Sequence, residues 1–169
     1  MKKIAIIGNS GSGKTTLSCK LHDLLKIPVI HLDLYCWKSK KNNITFQDYQ
    51  KLHCQFCNQK KWIIEGMGIE VLEYRIQKAD SIIFLNYPIY VCLFRGIRRK
   101  IKNFIIRQKD KTRACPDTIS FKYLKQLWIF NKNEKIIIEN LIKKYKDQKQ
   151  FFIIKNQRNL TNLLNVFLQ

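Results

Sequence analysis

The chain has 169 residues, 46% hydrophobic and 12% aromatic, which suits one domain with a sizeable core; it is too apolar for a disordered chain and too short for two ordinary domains. Lys plus Arg number 32 against 12 for Asp plus Glu, a formal charge of +20 that disfavours basic partners and suits phosphates. Lysine, asparagine and isoleucine are all abundant, a bias that an AT-rich genome also imposes, so the charge alone admits either origin.

In chain order, "KIAIIG" reads as a buried strand and "TTLSCKLHDLLK" as a helix, with Leu17, Leu21, Leu24 and Leu25 at helical spacing and Pro28 ending it. "PVIHLD" is a second strand ending on Asp33. "TFQDYQKLHCQFCNQ" is a helix capped by Thr45 with Asp48 three residues on, and "KWIIEG" a third strand ending on Glu65. A helix around Glu70 to Lys78 leads into "DSIIFLN", the fourth strand. A long basic helix follows from Pro88 to about Arg107, and "QKDKTRACPDT" has the polar, Pro-containing composition of a mobile loop. "ISFKYLKQLWIF" and "EKIIIENLIKKY" are two helices, or one interrupted near Asn131 to Asn133; "QFFIIKN" is a fifth strand, and a terminal helix runs to Val166. Strands this apolar must be covered on both faces, so the expected fold is a three-layer α/β with a parallel sheet, one domain over 1–169.

The segment Gly8 to Thr15 fits G-x-x-x-x-G-K-[ST] between the first strand and the first helix, where the mechanism needs it. Its glycines let main-chain N–H groups converge on phosphate oxygens at the positive end of a helix. The expected nucleotide contacts are Gly8, Asn9, Ser10, Gly11, Ser12, Gly13, Lys14, Thr15 and Thr16, with Lys14 on the β- and γ-phosphates and the Thr15 hydroxyl on Mg²⁺. Asp33 and Glu65, at strand ends on the ligand side of an open α/β sheet, can each hold water on the metal or orient an acceptor. Gly66 lets a ligand approach the backbone there. Arg95 and Arg99 share a helix face and can neutralise charge on a transferring phosphoryl group; Arg107 and Arg113 flank the loop and can join them.

Other features read as structural. Cys54-x-x-Cys57 beside His53 lacks a second ligand pair at a zinc interval. His22 and His31 read as packing or surface residues. Trp37, four residues after Asp33, is placed to stack on a base or cover the site. Six cysteines and an initial apolar run of only Ile4 to Ile7 point to reduced thiols, no membrane contact and a soluble cytoplasmic protein.

The runs "IAIIGNSGSGKTTL", "HLD" with Trp37 after it, "WIIEG", "ADSIIFLN", "CLFRGIRR", "KTRACPD" and "IIKNQRNL" occur in the order seen in adenylate-kinase-like P-loop proteins of the DNA topology modulation (FlaR-like) family, which the chain resembles over nearly its whole length. The resemblance implies strand order 2-3-1-4-5 and a small helical lid over about residues 92–118. It also implies that Arg95, Arg99 and Arg113 are lid-side arginines, and that Lys155, Asn156 and Gln157 lie in the loop around the adenine. Two departures bear on the acceptor. Glu65-Gly66-Met67-Gly68 stands where relatives more often show Asp-Gly-Asn-Tyr, and the Pro-Arg pair that grips AMP in adenylate kinases is absent. The expectation is an ATP- and Mg²⁺-dependent phosphotransferase for a small molecule, a nucleotide or nucleoside among the candidates, with Lys14, Asp33, Arg95 and Arg99 catalytic, Thr15 and Glu65 (through water) on the metal, and Arg113, Asn156 and Gln157 completing the nucleotide site. The alternative is a nucleotide-dependent DNA-binding regulator using the basic surface from Arg95 to Arg113.

Overall fold

The computed structural model describes residues 2–35, 45–106 and 121–168. The predicted residues Trp37, Arg107 and Arg113, and the loop from Gln108 to Thr118, lie outside them.

Five strands form one parallel sheet: β1 (Lys3–Gly8), β2 (Val29–His31), β3 (Trp62–Glu65), β4 (Ser81–Leu85) and β5 (Gln150–Ile154). Their order is β2-β3-β1-β4-β5, as the resemblance implies, and every pairing is parallel. The longer helices among the described residues are α1 (Lys14–Leu25), α2 (Phe46–Asn58), α3 (Leu72–Lys78), α4 (Ile89–Ile106), α5 (Phe121–Ile129), α6 (Lys135–Tyr145) and α7 (Gln157–Leu168). None of them is long and apolar enough to cross a membrane.

Alternation along the strands sends successive side chains to opposite faces. Ile4, Ile6, Ile63, Ile83 and Leu85 join Leu17 and Leu21 of α1, Cys92 of α4, Tyr123 and Leu127 of α5 and Leu163 of α7 in one core. Ala5, Ile7, Ile64, Ile82 and Phe84 join Cys57 of α2, Leu72 and Ile76 of α3, and Phe130, Ile138 and Tyr145 of α6 in the other. Two buried faces explain why β1, β3 and β4 read as continuous apolar runs.

Two details refine the sequence reading. The second strand stops at His31, and residues 32–35 are helical, so Asp33 lies in a helical turn rather than at the end of the strand. The register gives the cause: β2 is an edge strand whose one partner, β3, ends at Glu65 opposite His31, leaving nothing to continue the ladder. Between α5 and α6 the chain stays helical through a π turn, Phe130–Glu134, which contains the Asn131 to Asn133 interruption. The wider turn shifts the helix face: Tyr123 and Leu127 before it pack in one core, while Phe130 and Ile138 pack in the other. On α2 the expected cap is present. The Asp48 N–H donates to Thr45 Oγ1 at 3.2 Å and the Thr45 hydroxyl donates back to Asp48 Oδ2 at 2.7 Å.

Candidate functional site

The loop from Gly8 to Gly13 leaves the central strand and enters α1 without a side-chain cap, through Gly13 at φ 100°, a left-handed conformation that glycine adopts without strain. The first N–H groups of a helix have no carbonyl within it to bond, so an uncapped start presents them, with the positive end of the helix dipole, to whatever sits in the loop. Lys14 is buried and folds back across the same loop, donating from Nζ to Gly8 O at 2.9 Å and Asn9 O at 3.1 Å, which places its charge inside the concavity. Asn9 braces the loop twice, accepting from Ser10 N through Oδ1 at 2.7 Å and donating through Nδ2 to Leu127 O at 3.2 Å. The Ser12 hydroxyl is buried and has no hydrogen-bond partner among the described residues. It is a spare polar group in the wall of the cradle.

Beside Thr15 lies a three-residue chain. The Thr15 hydroxyl donates to Glu65 Oε1 at 3.1 Å, and His31 Nδ1 meets the same oxygen at 2.7 Å. A carboxylate has no hydrogen to give, so Nδ1 carries the proton. Burial opposes the charge on Glu65, which is 3% exposed, but the hydrogen bond from His31, the Lys14 ammonium and the Thr15 hydroxyl outweigh it and hold the carboxyl below the usual glutamate range. Its second oxygen, Oε2, is buried without a partner among the described residues. A hydroxyl and an ionised carboxylate with a spare oxygen, side by side at the end of the cradle, are the hard oxygen donors that Mg²⁺ takes, directly or through water. These residues fit a magnesium–nucleotide complex.

Asp33 stands exposed, set against Gly66. Gly66 has φ 129°, and a Cβ there would lie 2.9 Å from both Asp33 Oδ1 and Leu32 Cβ, so glycine is what allows the Asp33 turn to close against the end of β3. Beneath this loop is Arg75 of α3, wholly buried, donating from Nη1 to Gly66 O at 2.9 Å and from Nη2 to Met67 O. Burial pushes its pKa down, while Tyr49, Cys57, Asp33 and Glu65 act in the opposite direction. Arg75 thus fixes the loop after β3 and puts positive charge near the Asp33 and Glu65 carboxylates. Glu134, in the π turn, is also part of this surround: burial and the Glu70 carboxylate push its pKa up, and Lys14 pulls it down.

The two arginines expected to act on the phosphoryl group, Arg95 and Arg99 of α4, divide. Arg95 Nη1 donates to Ser12 O at 2.9 Å while its guanidinium lies 4.1 Å from the centre of the Tyr87 ring. It therefore already touches the phosphate loop. Arg99, one turn further on, acts electrostatically on Tyr123. Burial raises the Tyr123 pKa, and its hydroxyl is hydrogen-bonded to Ser10. That ring packs so closely on Gly96 that no side chain fits there, which seats α5 on α4 and on the loop together. Asn156 caps α7, accepting from Asn159 N at 2.9 Å, and its carbonyl takes a long 3.5 Å bond from the Tyr87 hydroxyl; Gln157 is exposed at the start of α7.

The structure brings together Gly8 to Thr15, Glu65 and Arg95 around one loop, with Asp33 set against Gly66. His31, expected to be a packing or surface residue, is bonded to Glu65, and Arg75, Tyr123 and Glu134 stand in the same surround without a signal in the sequence. Only the parallel register, His31 opposite Glu65, could have signalled the pairing. Around Cys54 and Cys57, as elsewhere among the described residues, there is no group of three or more His, Cys, Asp or Glu that could hold a metal ion. Burial, the largest influence, pushes the Cys57 thiol up to about 11.

Solved structures share this fold along nearly the whole chain. Shikimate kinase from Acinetobacter baumannii, in complex with shikimate, aligns over 100% of this chain and 96% of its own at 16% identity, with a TM-score of 0.62. Shikimate kinase from Aquifex aeolicus covers 97% and 95% at 16% identity (TM-score 0.55), and deoxyadenosine kinase from M. mycoides, with dCMP and dCDP, covers 97% and 97% at 17% identity (TM-score 0.51). The fold is that of the small P-loop kinases. No protein-family model and no curated protein matches the sequence.

Proposed function

We propose that the protein is an ATP- and Mg²⁺-dependent phosphotransferase acting on a small-molecule acceptor. The observation that carries this reading is the junction of cradle and carboxylate: Thr15 Oγ1 bonded to a buried, ionised Glu65 whose second oxygen is spare, beside an uncapped helix start and the Lys14 ammonium. Small-molecule kinases of the same fold support it.

In this mechanism the loop N–H groups, the Ser12 hydroxyl and Lys14 bind and orient the phosphates. Thr15 and Glu65 would hold magnesium, which when bound offsets the negative charge of the phosphate tail. Arg95, already on Ser12 O, stabilises charge that develops on the transferring group, and Arg99 and Arg113 are proposed to act with it. Where the acceptor is a hydroxyl compound, Asp33 orients it and takes its proton; a phosphate acceptor needs no base. The acceptor-side groups Asp33, Glu70 and Glu134 are carboxylates, which agrees with the absence of the Pro-Arg phosphate grip and disfavours AMP as acceptor. Asn156 and Gln157 are assigned to the adenine end. The motif order shared with DNA topology modulation proteins supports membership of that family as part of the same proposal. A DNA-binding role gains no support from the kinase neighbours.

The test is ATP consumption with Mg²⁺ across nucleosides, nucleotides and phosphorylatable metabolites, beside a control without acceptor. At least one compound should accelerate turnover, and Lys14→Ala should lower that rate by about 10²-fold or more while the protein stays folded. Turnover that no acceptor accelerates, or an undiminished Lys14→Ala enzyme, would overturn the assignment.

A further inference from the structure

Helix α4 turns its apolar side outward. Tyr90, Phe94, Ile97 and Ile101 are 70%, 65%, 39% and 54% exposed, and at about 100° per residue they fall within an arc of roughly 60°. Cys92 and Gly96, on the opposite side, face the phosphate loop and Tyr123. On adjoining α5, Phe121, Leu124 and Trp128 are likewise exposed, on the side away from the buried Tyr123 and Leu127. Scattered exposed apolar residues need no explanation, but two neighbouring helices each presenting a whole stripe to water do.

The spacing of the α4 stripe reads the same in both directions: four residues, three, then four. A helix carrying such a pattern matches an antiparallel copy of itself about a two-fold axis between Arg95 and Gly96. Tyr90 then meets Ile101, Phe94 meets Ile97, and the exposed Arg98 falls opposite Leu93 instead of opposite its own copy. That is the requirement of an isologous contact, in which one patch is its own complement. The area is also sufficient. Taking ~200 Å² for a whole side chain, the α4 stripe exposes about 450 Å² and the three α5 residues about 350 Å², together the ~800 Å² that each partner contributes to a standard interface.

We infer that the outward face of α4, flanked by α5, is the interface of a two-fold symmetric dimer of this chain. The contact forms against the mutual repulsion of two subunits of formal charge +20, so salt strengthens it. That dependence is opposite in sign to binding of an acidic protein or an anionic lipid surface by the same face, which salt weakens.

The experiment is sedimentation equilibrium of the full chain over a series from low salt to about 0.5 M, where charges are screened beyond ~4 Å. The wild type should shift from monomer toward dimer as salt rises. Phe94→Asp should remain monomeric throughout with an unchanged circular dichroism spectrum, and Leu168→Asp, an exposed apolar residue elsewhere, should dimerise as the wild type does. For the register, Phe94→Cys mixed with Ile97→Cys should give a disulfide-linked dimer of one chain of each kind, in excess over Phe94→Cys alone and over the native cysteines of the wild type. A wild type monomeric at every salt concentration, a dimer that persists in Phe94→Asp, or equal cross-linking of Phe94→Cys to itself would each overturn the proposal.

Discussion

Acid should loosen the packing of α2 near Arg75 before it disturbs the loop from Gly8 to Thr15, and His53 sets the pH at which that begins. The imidazole is 1% exposed on α2, with Cys57 Sγ 3.7 Å from Nε2 and 3.8 Å from Nδ1, and the Tyr74 ring 6.2 Å away edge-on. Burial first, and the Arg75 charge second, lower its pKa to about 4. The unfolded chain takes up this proton near pH 6.5, the folded protein only near 4. Between those values the unfolded state is therefore favoured as pH falls, at about 1.4 kcal/mol per pH unit. The expected loss is about 2 kcal/mol by pH 5 and about 3 kcal/mol by pH 4. Glu65, whose carboxyl is held low, loses its contribution only as pH falls below the ordinary glutamate value of about 4.3, outside the window from 6.5 to 5. Urea denaturation at several pH values in that window, for the wild type and for His53→Gln, isolates the effect. The variant's absolute stability does not matter, because only the slope is compared. Wild type and variant with the same slope between pH 6.5 and 5 would refute the argument that His53 is buried neutral against Arg75.

Substitutions at three residues of the site, Gly66, Glu65 and His31, test it further. Gly66→Ala should cost about 1–3 kcal/mol in urea denaturation, because φ 129° strains any L side chain and the added Cβ comes within 2.9 Å of Leu32 Cβ and Asp33 Oδ1. The same variant should slow acceptor-stimulated turnover, since Asp33 must move. Glu65→Gln should weaken Mn²⁺ binding to the ADP complex, read by electron paramagnetic resonance, and His31→Leu should do so by about 10- to 100-fold through loss of the bond that orients the carboxylate. His31→Asn, which keeps a donor near Nδ1, should recover part of that affinity.

The sequence was sufficient wherever chemistry is local. The cradle from Gly8 to Thr15 is a contiguous segment whose backbone demands glycine at fixed places, and the strands announce themselves because two buried faces leave little room for polar residues. The Thr45 cap with Asp48 was legible for the same reason: donor and acceptor lie three residues apart. Glu65 was legible as a strand end, whereas Asp33 lies past the end of β2 in a helical turn; the adjacency of β2 and β3, which the resemblance implied, is given by the register.

What sequence order hid are pairings between residues far apart in the chain. His31 and Glu65 are 34 positions apart, and nothing in either segment foretells that edge strand β2 will set one against the other. Arg75 looks like any cation on a short amphipathic helix until α3 is packed under the loop after β3, where two carbonyls need a donor. The outward face of α4 is the clearest case. Its apolar periodicity marks a helix that buries one side, and only the packed structure decides that the phosphate loop takes the other side, because Cys92 and Gly96 are the positions small enough to let loop and Tyr123 approach.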